Sequence, residues 1–235
     1  MLEWIQTNFP DIYKLGWDGQ TGWLTHFNLT LYMTFVSFAF GGFMGLVSGL
    51  FLVLTGPRGV IANKTAYWIL DKVASIFRAI PFIILLAAIA PLTKIIVGKT
   101  IGTEAALVPL ALSVFPFFAR QVEVVLSELD RGVIEAAQAS GATFWDIVLV
   151  YLREGLPDLI RVTTFALVSL VGYTAMAGAA MAGAIGAGGL GQVALSYGYL
   201  RYNNDVTFLA TLLILVIIFV IQFIGDFLTR KISHR

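Results

Sequence analysis

The sequence predicts an all-α protein that crosses a membrane several times. Of its 235 residues, 58% are hydrophobic and only 12% are charged, and the mean hydropathy is +0.87. A soluble domain carries roughly twice that share of charge. Apolar residues gather in long runs, and a helix needs about 20 of them to cross a bilayer. We therefore exclude a water-soluble globule and expect residues 1–235 to form a single transmembrane domain.

Five segments are predicted to span the membrane, at residues 27–55, 66–92, 105–126, 156–180 and 206–228. The first ends at a turn signal that begins with Gly56 and Pro57. The second carries charges in its first half and Pro81 before a purely apolar run, so we expect one long kinked helix whose polar half leaves the bilayer. The third contains Pro109 and Pro116, which a membrane helix tolerates where neighbouring helices satisfy its backbone.

The basic residues predict the orientation of these spans, because cytoplasmic connections are enriched in Lys and Arg. With the N-terminus outside, eleven of the 15 basic residues lie on the cytoplasmic side. The four outside are Lys14, Lys94, Lys99 and Arg201. The acidic N-terminal segment agrees, and it lacks the features of a cleavable signal peptide. We expect the N-terminus outside and the C-terminus in the cytoplasm.

No pattern in the sequence predicts catalysis or cofactor binding, since the G-x-G-x-x-G match at residues 186–191 follows no buried strand and lies beside a membrane span. The sequence has no cysteine, and its two histidines lie near opposite ends, so no metal site can be drawn. Gly98-Lys99-Thr100 resembles the end of a phosphate-binding loop but lacks the Gly five residues earlier. We expect no enzymatic activity and no cofactor on this chain. The net charge of +1 argues against nucleic acid as a partner.

One connection is far longer than a turn between two helices requires. Residues 127–153 join the third span to the fourth on the predicted cytoplasmic side. Residues 135–140 favour a short helix, Gly141 is placed to end it, and Phe144 and Trp145 begin a second amphipathic helix. We predict a protruding knob that a cytoplasmic partner can bind. An interfacial helix that merely caps the bundle is the alternative.

The residues of this connection resemble a known family. Glu135-Ala136-Ala137, followed by Gly141 and by Leu156-Pro157, is similar to the cytoplasmic motif of permease subunits of binding-protein-dependent ABC importers. Residues 77–86, 171–179 and 222–226 are similar to the methionine-importer permeases. The resemblance implies the type I ABC importer permease fold. It also implies that the motif forms the coupling helix, with contacts to the ATP-binding subunit at Glu135, Ala136, Ala137, Ser140 and Gly141.

The resemblance further implies partners and a cargo. Such permeases act as homodimers in the bacterial cytoplasmic membrane. They work with two ATP-binding subunits, which hold ATP and Mg²⁺, and with an extracytoplasmic methionine-binding protein that is often a lipoprotein. The implied function is translocation of methionine, including D-methionine and its derivatives, by alternating access. Another amino acid or a short peptide is the alternative cargo, and a channel or carrier independent of an ATPase is the alternative from another class.

The fourth span carries the expected translocation path. Ser169, Tyr173 and Met176 are among its few polar and soft side chains, which also suit plain helix packing. Residues 175–179 are followed by a second copy at 180–184, whereas related permeases carry one copy. The gate position therefore falls on Met176 or Met181, and we favour Met176 because it keeps its spacing from Tyr173.

A conformational hinge is a second expectation, in the second span. Arg78 is a cation close to the membrane, and Pro81 follows one turn later. Charge inside a membrane is costly and often functional. Arg78 is therefore either a side chain that reaches to the bilayer surface or, with Pro81, part of a hinge.

Overall fold

The computed structural model describes residues 9–180 and 186–233. These residues form helices and no strand, as the sequence predicts. The helices are α1 (Pro10–Lys14), α2 (Trp23–Thr55), α3 (Lys64–Ala79), α4 (Phe82–Ala88), α5 (Ala90–Val97), α6 (Thr103–Ser127), α7 (Arg131–Ala139), α8 (Phe144–Glu154), α9 (Leu156–Ala179), α10 (Gly189–Gln192) and α11 (Asn204–Ser233). Between α10 and α11 lie a π-helical turn (Val193–Gly198) and a 3₁₀ turn (Tyr199–Arg201).

Among the described residues, four helices are long and apolar enough to cross a membrane: α2, α6, α9 and α11. They coincide with the predicted first, third, fourth and fifth spans to within about five residues at either end. Most of their length consists of strong helix formers and β-branched or aromatic residues, and each is longer than the roughly 20 residues that a bilayer requires.

The second span was predicted as a single kinked helix over residues 66–92, and this prediction is wrong. The chain forms three shorter helices here, α3, α4 and α5. Pro81 takes extended backbone angles, φ −55° and ψ 136°, and stands before the first residue of α4. A second proline, Pro91, lies in the first turn of α5. Since proline lacks an N–H and favours the first helical turn, each of them starts a new helix instead of bending one.

The chain divides into two compact units. The first unit comprises Met1–Ala39, Ile80–Ala111 and Leu167–Val220. Its buried residues include Met33, Leu110 and Leu170. Hydroxyl groups link its segments to backbone groups distant in sequence. The Leu190 N–H donates to Thr30 Oγ1 at 2.9 Å, and Thr103 Oγ1 donates to the Ala187 carbonyl at 2.8 Å.

The second unit comprises Phe40–Ala79, Leu112–Ala166 and Ile221–Arg235. In it α2 and α6 approach closely at Gly45 and Gly49 of α2. A Cβ at Gly45 would lie 2.9 Å from the Phe115 carbonyl oxygen, and one at Gly49 would lie 2.6 Å from that of Ala119. Small residues allow such close contact between membrane helices, which association in lipid depends on.

Candidate functional site

The predicted knob is two short helices, α7 and α8, joined by a tight corner. Gly141 adopts the left-handed φ of +81° that few residues other than glycine accept. Its N–H donates to the Gln138 carbonyl at 3.0 Å, and the next N–H, of Ala142, donates to the Ala137 carbonyl at 3.1 Å. This pair of bonds is the Schellman arrangement that ends a helix at glycine. The sequence prediction of a glycine corner is confirmed.

The second helix of the corner begins with a capping box. The Thr143 N–H and hydroxyl both donate to Asp146 Oδ2, at 2.8 and 2.6 Å, and the Asp146 N–H donates back to Thr143 Oγ1 at 3.4 Å. These bonds satisfy donors that a helix start leaves open. The hydroxyl of Thr143, and then its backbone N–H, lower the pKa of the Asp146 carboxyl below its ordinary value of 3.8. Asp146 is therefore ionised at neutral pH and supports the start of α8.

The predicted contact residues lie on the accessible side of α7. Glu135, Ala136, Ser140 and Gly141 are exposed, and Ala137 is half-buried. The opposite side of the helix buries Ile134. A surface in this position is open to a partner. Whether Glu135 and its neighbours bind an ATP-binding subunit stays a prediction.

A cavity of about 720 Å³ adjoins α7, within the second unit. Ile134, Glu135 and Gln138 line it from α7, and Tyr151 lines it from α8. Other walls come from the turn after α2, from Tyr67 of α3 and from Glu123 of α6. Burial raises the pKa of the Tyr151 hydroxyl above its ordinary value of 10.0, so this side chain is neutral. The coupling segment, defined here as α7 and α8, thus borders this cavity, while Ile134, Ile147 and Tyr151 are its buried residues.

A polar cluster on the edge of this cavity was not found from the sequence. Tyr67 Oη donates to Glu123 Oε1 at 2.9 Å, and Arg120 donates to Glu123 Oε2 at 2.6 Å. Arg120 also lies 3.5 Å from Asp71. The only signal in the sequence was Arg120 and Glu123 at a helical spacing near the end of an apolar span. Their partner Tyr67 lies 56 residues away, beyond the reach of any local pattern.

The predicted path residues share one face of α9, in the first unit. Ser169 and Tyr173 are half-buried, Met176 is 45% exposed, and Gly172 between them is exposed. The opposite face buries Leu170, Val171, Thr174, Ala177 and Gly178. Tyr173 stacks on Phe82, the first residue of α4, with ring centroids 5.1 Å apart. Thr174 lies on the buried face, at 1% exposure, and its hydroxyl donates to the Val171 carbonyl of its own helix at 2.8 Å.

Of the two gate candidates, the structure describes only Met176. Met176 lies on the open face of α9, while Met181 lies outside the described residues. The role of Ser169, Tyr173 and Met176 in passage of a cargo stays a prediction.

The predicted hinge residues flank the break between α3 and α4. Arg78 is exposed near the end of α3 and donates to Ser75 Oγ of the same helix at 3.3 Å. Pro81 is exposed and its carbonyl accepts from the Ile84 and Leu85 N–H groups, both at 2.9 Å. The break in the helix is present, and its movement as a hinge stays a prediction.

Comparison with known proteins identifies the family. The model described as "Binding-protein-dependent transport system inner membrane component" matches residues 41–234. The chain belongs to this family. It is therefore a multi-pass membrane permease component, not itself the ATPase of its transport system.

Several relatives of this permease are similar over most of their length. The probable D-methionine transport system permease protein MetI of Haemophilus influenzae is 42% identical over 207 residues, which are 88% of this chain and 95% of the relative. The D-methionine transport system permease protein MetI of Escherichia coli K12 is 49% identical over 150 residues, which are 63% of this chain and 69% of the relative. The resemblance to methionine-importer permeases that the sequence motifs indicated is confirmed.

Solved structures place the permease in the same fold. A chain from the inward-facing MetNI methionine ABC transporter matches with a TM-score of 0.85 and 45% identity, over 89% of this chain and 95% of that chain. An amino acid ABC transporter crystallised with histidines matches with a TM-score of 0.66 at 16% identity, over 98% of both chains, which shows the fold alone. The predicted type I importer permease fold is confirmed.

Proposed function

We propose that the chain is the transmembrane permease subunit of an ATP-driven importer that carries methionine, including D-methionine, across the cytoplasmic membrane. The observation that carries the proposal is the 45% identity and TM-score of 0.85 to a chain of the MetNI methionine transporter, over 89% of this permease. The coupling segment adds support from within the molecule, since it presents an accessible surface of both polar and apolar residues, Glu135 and Trp145 among them, beside a cavity.

The working complex contains two copies of this chain and two cytoplasmic ATP-binding subunits. ATP and Mg²⁺ bind to those subunits, and α7 of each permease contacts one of them through Glu135, Ala136, Ala137, Ser140 and Gly141. An extracytoplasmic methionine-binding protein, anchored as a lipoprotein, delivers the cargo. The excess of basic residues on one side supports an orientation with the N-terminus outside and the C-terminus in the cytoplasm.

Transport proceeds by alternating access. ATP draws the two ATP-binding subunits together, and the coupling segments follow, which opens the path outward to receive methionine. Hydrolysis returns the permease to the inward-open state. Nucleotide and cargo must favour different states for this cycle to run, because a ligand shifts an equilibrium only by its difference in affinity between the states.

The path itself contacts methionine weakly. Ser169, Tyr173 and Met176 are uncharged, and across the described part of the chain the exposed face of α9 around them carries no Asp, Glu, Lys or Arg. Neutral polar and soft groups suit an apolar thioether side chain, but they offer no counter-charge to an amino-acid zwitterion. Selection of the cargo therefore rests with the binding protein.

Reconstitution tests this function. The permease, its ATP-binding subunit and its binding protein are placed in liposomes, and uptake of labelled methionine is followed with and without ATP. We expect ATP-dependent uptake that unlabelled L- and D-methionine suppress and alanine does not. Equal competition by alanine would reject methionine as the cargo while keeping the transporter class. Uptake without the ATP-binding subunit would favour the channel or carrier alternative.

Two variants test the coupling segment. Glu135→Lys reverses a charge on the exposed side of α7, and we expect it to abolish uptake while the permease still inserts and dimerises. Gly141→Ala strains the corner at φ +81°. Gly98→Ala is its matched control, because Gly98 has the same φ of +81°, ends α5 and likewise has open space around a Cβ. Uptake should fall for Gly141→Ala only, and an equal loss for both would point to backbone strain in general.

A further inference from the structure

Glu123 stands out because it is the single Asp, Glu, Lys or Arg that is buried among residues 9–180 and 186–233. It lies in α6, a helix long and apolar enough to span a membrane. A carboxylate in such a place is expensive and is retained where it has a function. The proposed transport cycle gives Glu123 no role.

Glu123 and Arg120 together join α6 to α3 at two successive helical turns. Tyr67 from α3 donates to one carboxylate oxygen at 2.9 Å, and Arg120 from α6 donates to the other at 2.6 Å. The same guanidinium reaches Asp71 of α3 at 3.5 Å. Tyr67 and Asp71 are four residues apart, and Arg120 and Glu123 are three apart, so each pair lies on one helix face. We call these four residues the α3–α6 clamp.

The clamp also borders the coupling segment. Tyr67 and Glu123 line the cavity of about 720 Å³ whose other walls include Ile134 and Glu135 of α7. Both α3 and α7 line this cavity, so part of the space between them holds no packed side chains. The clamp gives α3 a direct polar attachment to α6, the helix that leads along the chain into α7.

We propose that Glu123 is a positioning residue: by binding Tyr67 and Arg120 it makes α3 move with α6 when the coupling segment is displaced, and so sets how much cargo is carried per ATP. This rests on the proposed function as an ATP-driven importer. It assigns to α3 a part in the response to nucleotide that the coupling motif alone does not provide.

The first test measures transport against ATP hydrolysis in the complete reconstituted complex. Glu123→Gln keeps the size and one acceptor oxygen of the side chain but removes the charge that Arg120 binds. Tyr67→Phe removes a single hydroxyl group and serves if Glu123→Gln fails to assemble. For each variant, we expect methionine imported per ATP hydrolysed to fall about fivefold, a size typical of residues that couple two sites. The ATP hydrolysis rate should stay within about twofold of wild type, because the variants leave the predicted contact residues of α7 unchanged.

A double variant and a matched control separate positioning from mere stability. The Tyr67→Phe/Glu123→Gln double variant should lose no more coupling than Glu123→Gln alone, because the two residues act as one unit. Asp158→Asn is the control, since it removes the exposed pair of Asp158 with Arg161 at 2.8 Å in the same unit. It should leave the ratio of methionine to ATP unchanged. An unchanged ratio in both clamp variants would overturn the proposal.

Hydrogen exchange tests the movement itself, without any cargo. In the wild-type complex, addition of Mg-ATP should alter exchange in the peptides covering α7 and α3. In Glu123→Gln, the α7 peptide should still respond and the α3 peptide should not. A variant whose α3 responds like wild type would overturn the positioning role. A wild-type complex whose α7 does not respond at all would instead reject the proposed function on which this inference rests.

Discussion

The two units of the molecule hold their polar side chains in different ways. In the second unit, charged side chains join separate helices, as Arg120 of α6 lies 3.5 Å from Asp71 of α3 and Glu123 of α6 accepts from Tyr67 of α3. In the first unit, hydroxyl groups bind distant backbone groups, as Thr30 binds the Leu190 N–H and Thr103 binds the Ala187 carbonyl. A buried charge that loses its partner costs much more free energy than a buried hydroxyl that loses its hydrogen bond. The difference indicates that firm attachment between helices matters most in the unit that carries the coupling segment.

The largest expected effect follows from removing one partner of the clamp. Arg120→Ala leaves Glu123 buried without its cation, which should destabilise the permease by about 3 kcal/mol. Thermal unfolding in detergent, followed by size-exclusion chromatography, measures the shift. Arg161→Ala is the control, because Arg161 pairs with Asp158 on an exposed surface. Equal midpoints for the two variants would contradict a special role for charge in the second unit.

A smaller effect is expected for the hydroxyl contacts of the first unit. Thr30→Val preserves the side-chain shape but leaves the buried Leu190 N–H without its acceptor, which should cost about 1–2 kcal/mol. Thr211→Val is the matched control, since that exposed hydroxyl bonds only the Thr207 carbonyl of its own helix at 2.8 Å in the described chain. The same unfolding assay compares them. A Thr30→Val loss as large as that of Arg120→Ala would remove the contrast between the units.

The third effect concerns the start of α8 and depends on pH. Because the folded-state pKa of Asp146 is lowered, its ionised form stabilises the capping box above the unfolded pKa, and this support is lost as the pH falls through the lower folded value. Hydrogen exchange of α8 at pH 7 and below pH 3.8, corrected for intrinsic rates, should show loosening of its first turn in acid. Asp146→Asn should be loose at both pH values. Full protection of the wild-type turn in acid would show that Asp146 does not support it.

The smallest effect is expected for an exposed pair in the first unit. Lys99 lies within hydrogen-bonding distance of Glu104, at 2.6 Å, but both side chains are more than half exposed. Lys99→Ala should therefore change stability by about 0.5 kcal/mol or less. The unfolding midpoint checks this. A shift comparable with that of Thr30→Val would mean that surface charge contributes to the first unit after all.

Elements governed by local rules were predicted well. The long apolar runs of α2, α6, α9 and α11 exceed the length of a membrane span, so the sequence located them within a few residues. The corner at Gly141 was also predictable, because a helix that ends at glycine needs only its neighbours. The second span was mispredicted, since a proline can bend a helix or begin a new one. Pro91 in the first turn of α5 was the signal that would have favoured separate helices.

Features that depend on distant contacts could not be predicted. Glu123 meets Tyr67 across 56 residues, so nothing near either residue reveals the bond. The open face of α9 was only partly predictable. The sequence offered Ser169, Tyr173 and Met176 as the few polar and soft side chains of this span, and the packing shows that they share the open face. Which face of a helix stays open is decided by the helices that pack against it, and its own sequence does not show where they lie.

The corner between α7 and α8 has a consequence for how the chain assembles. The bonds that close it join residues at most five apart, from Ala137 to Ala142 and from Thr143 to Asp146. Contacts so close in sequence form quickly, because little chain entropy is lost in bringing them together. During synthesis, the coupling segment can therefore take its final shape as soon as it leaves the ribosome. It does so before the last span has been made and before a second protomer is present.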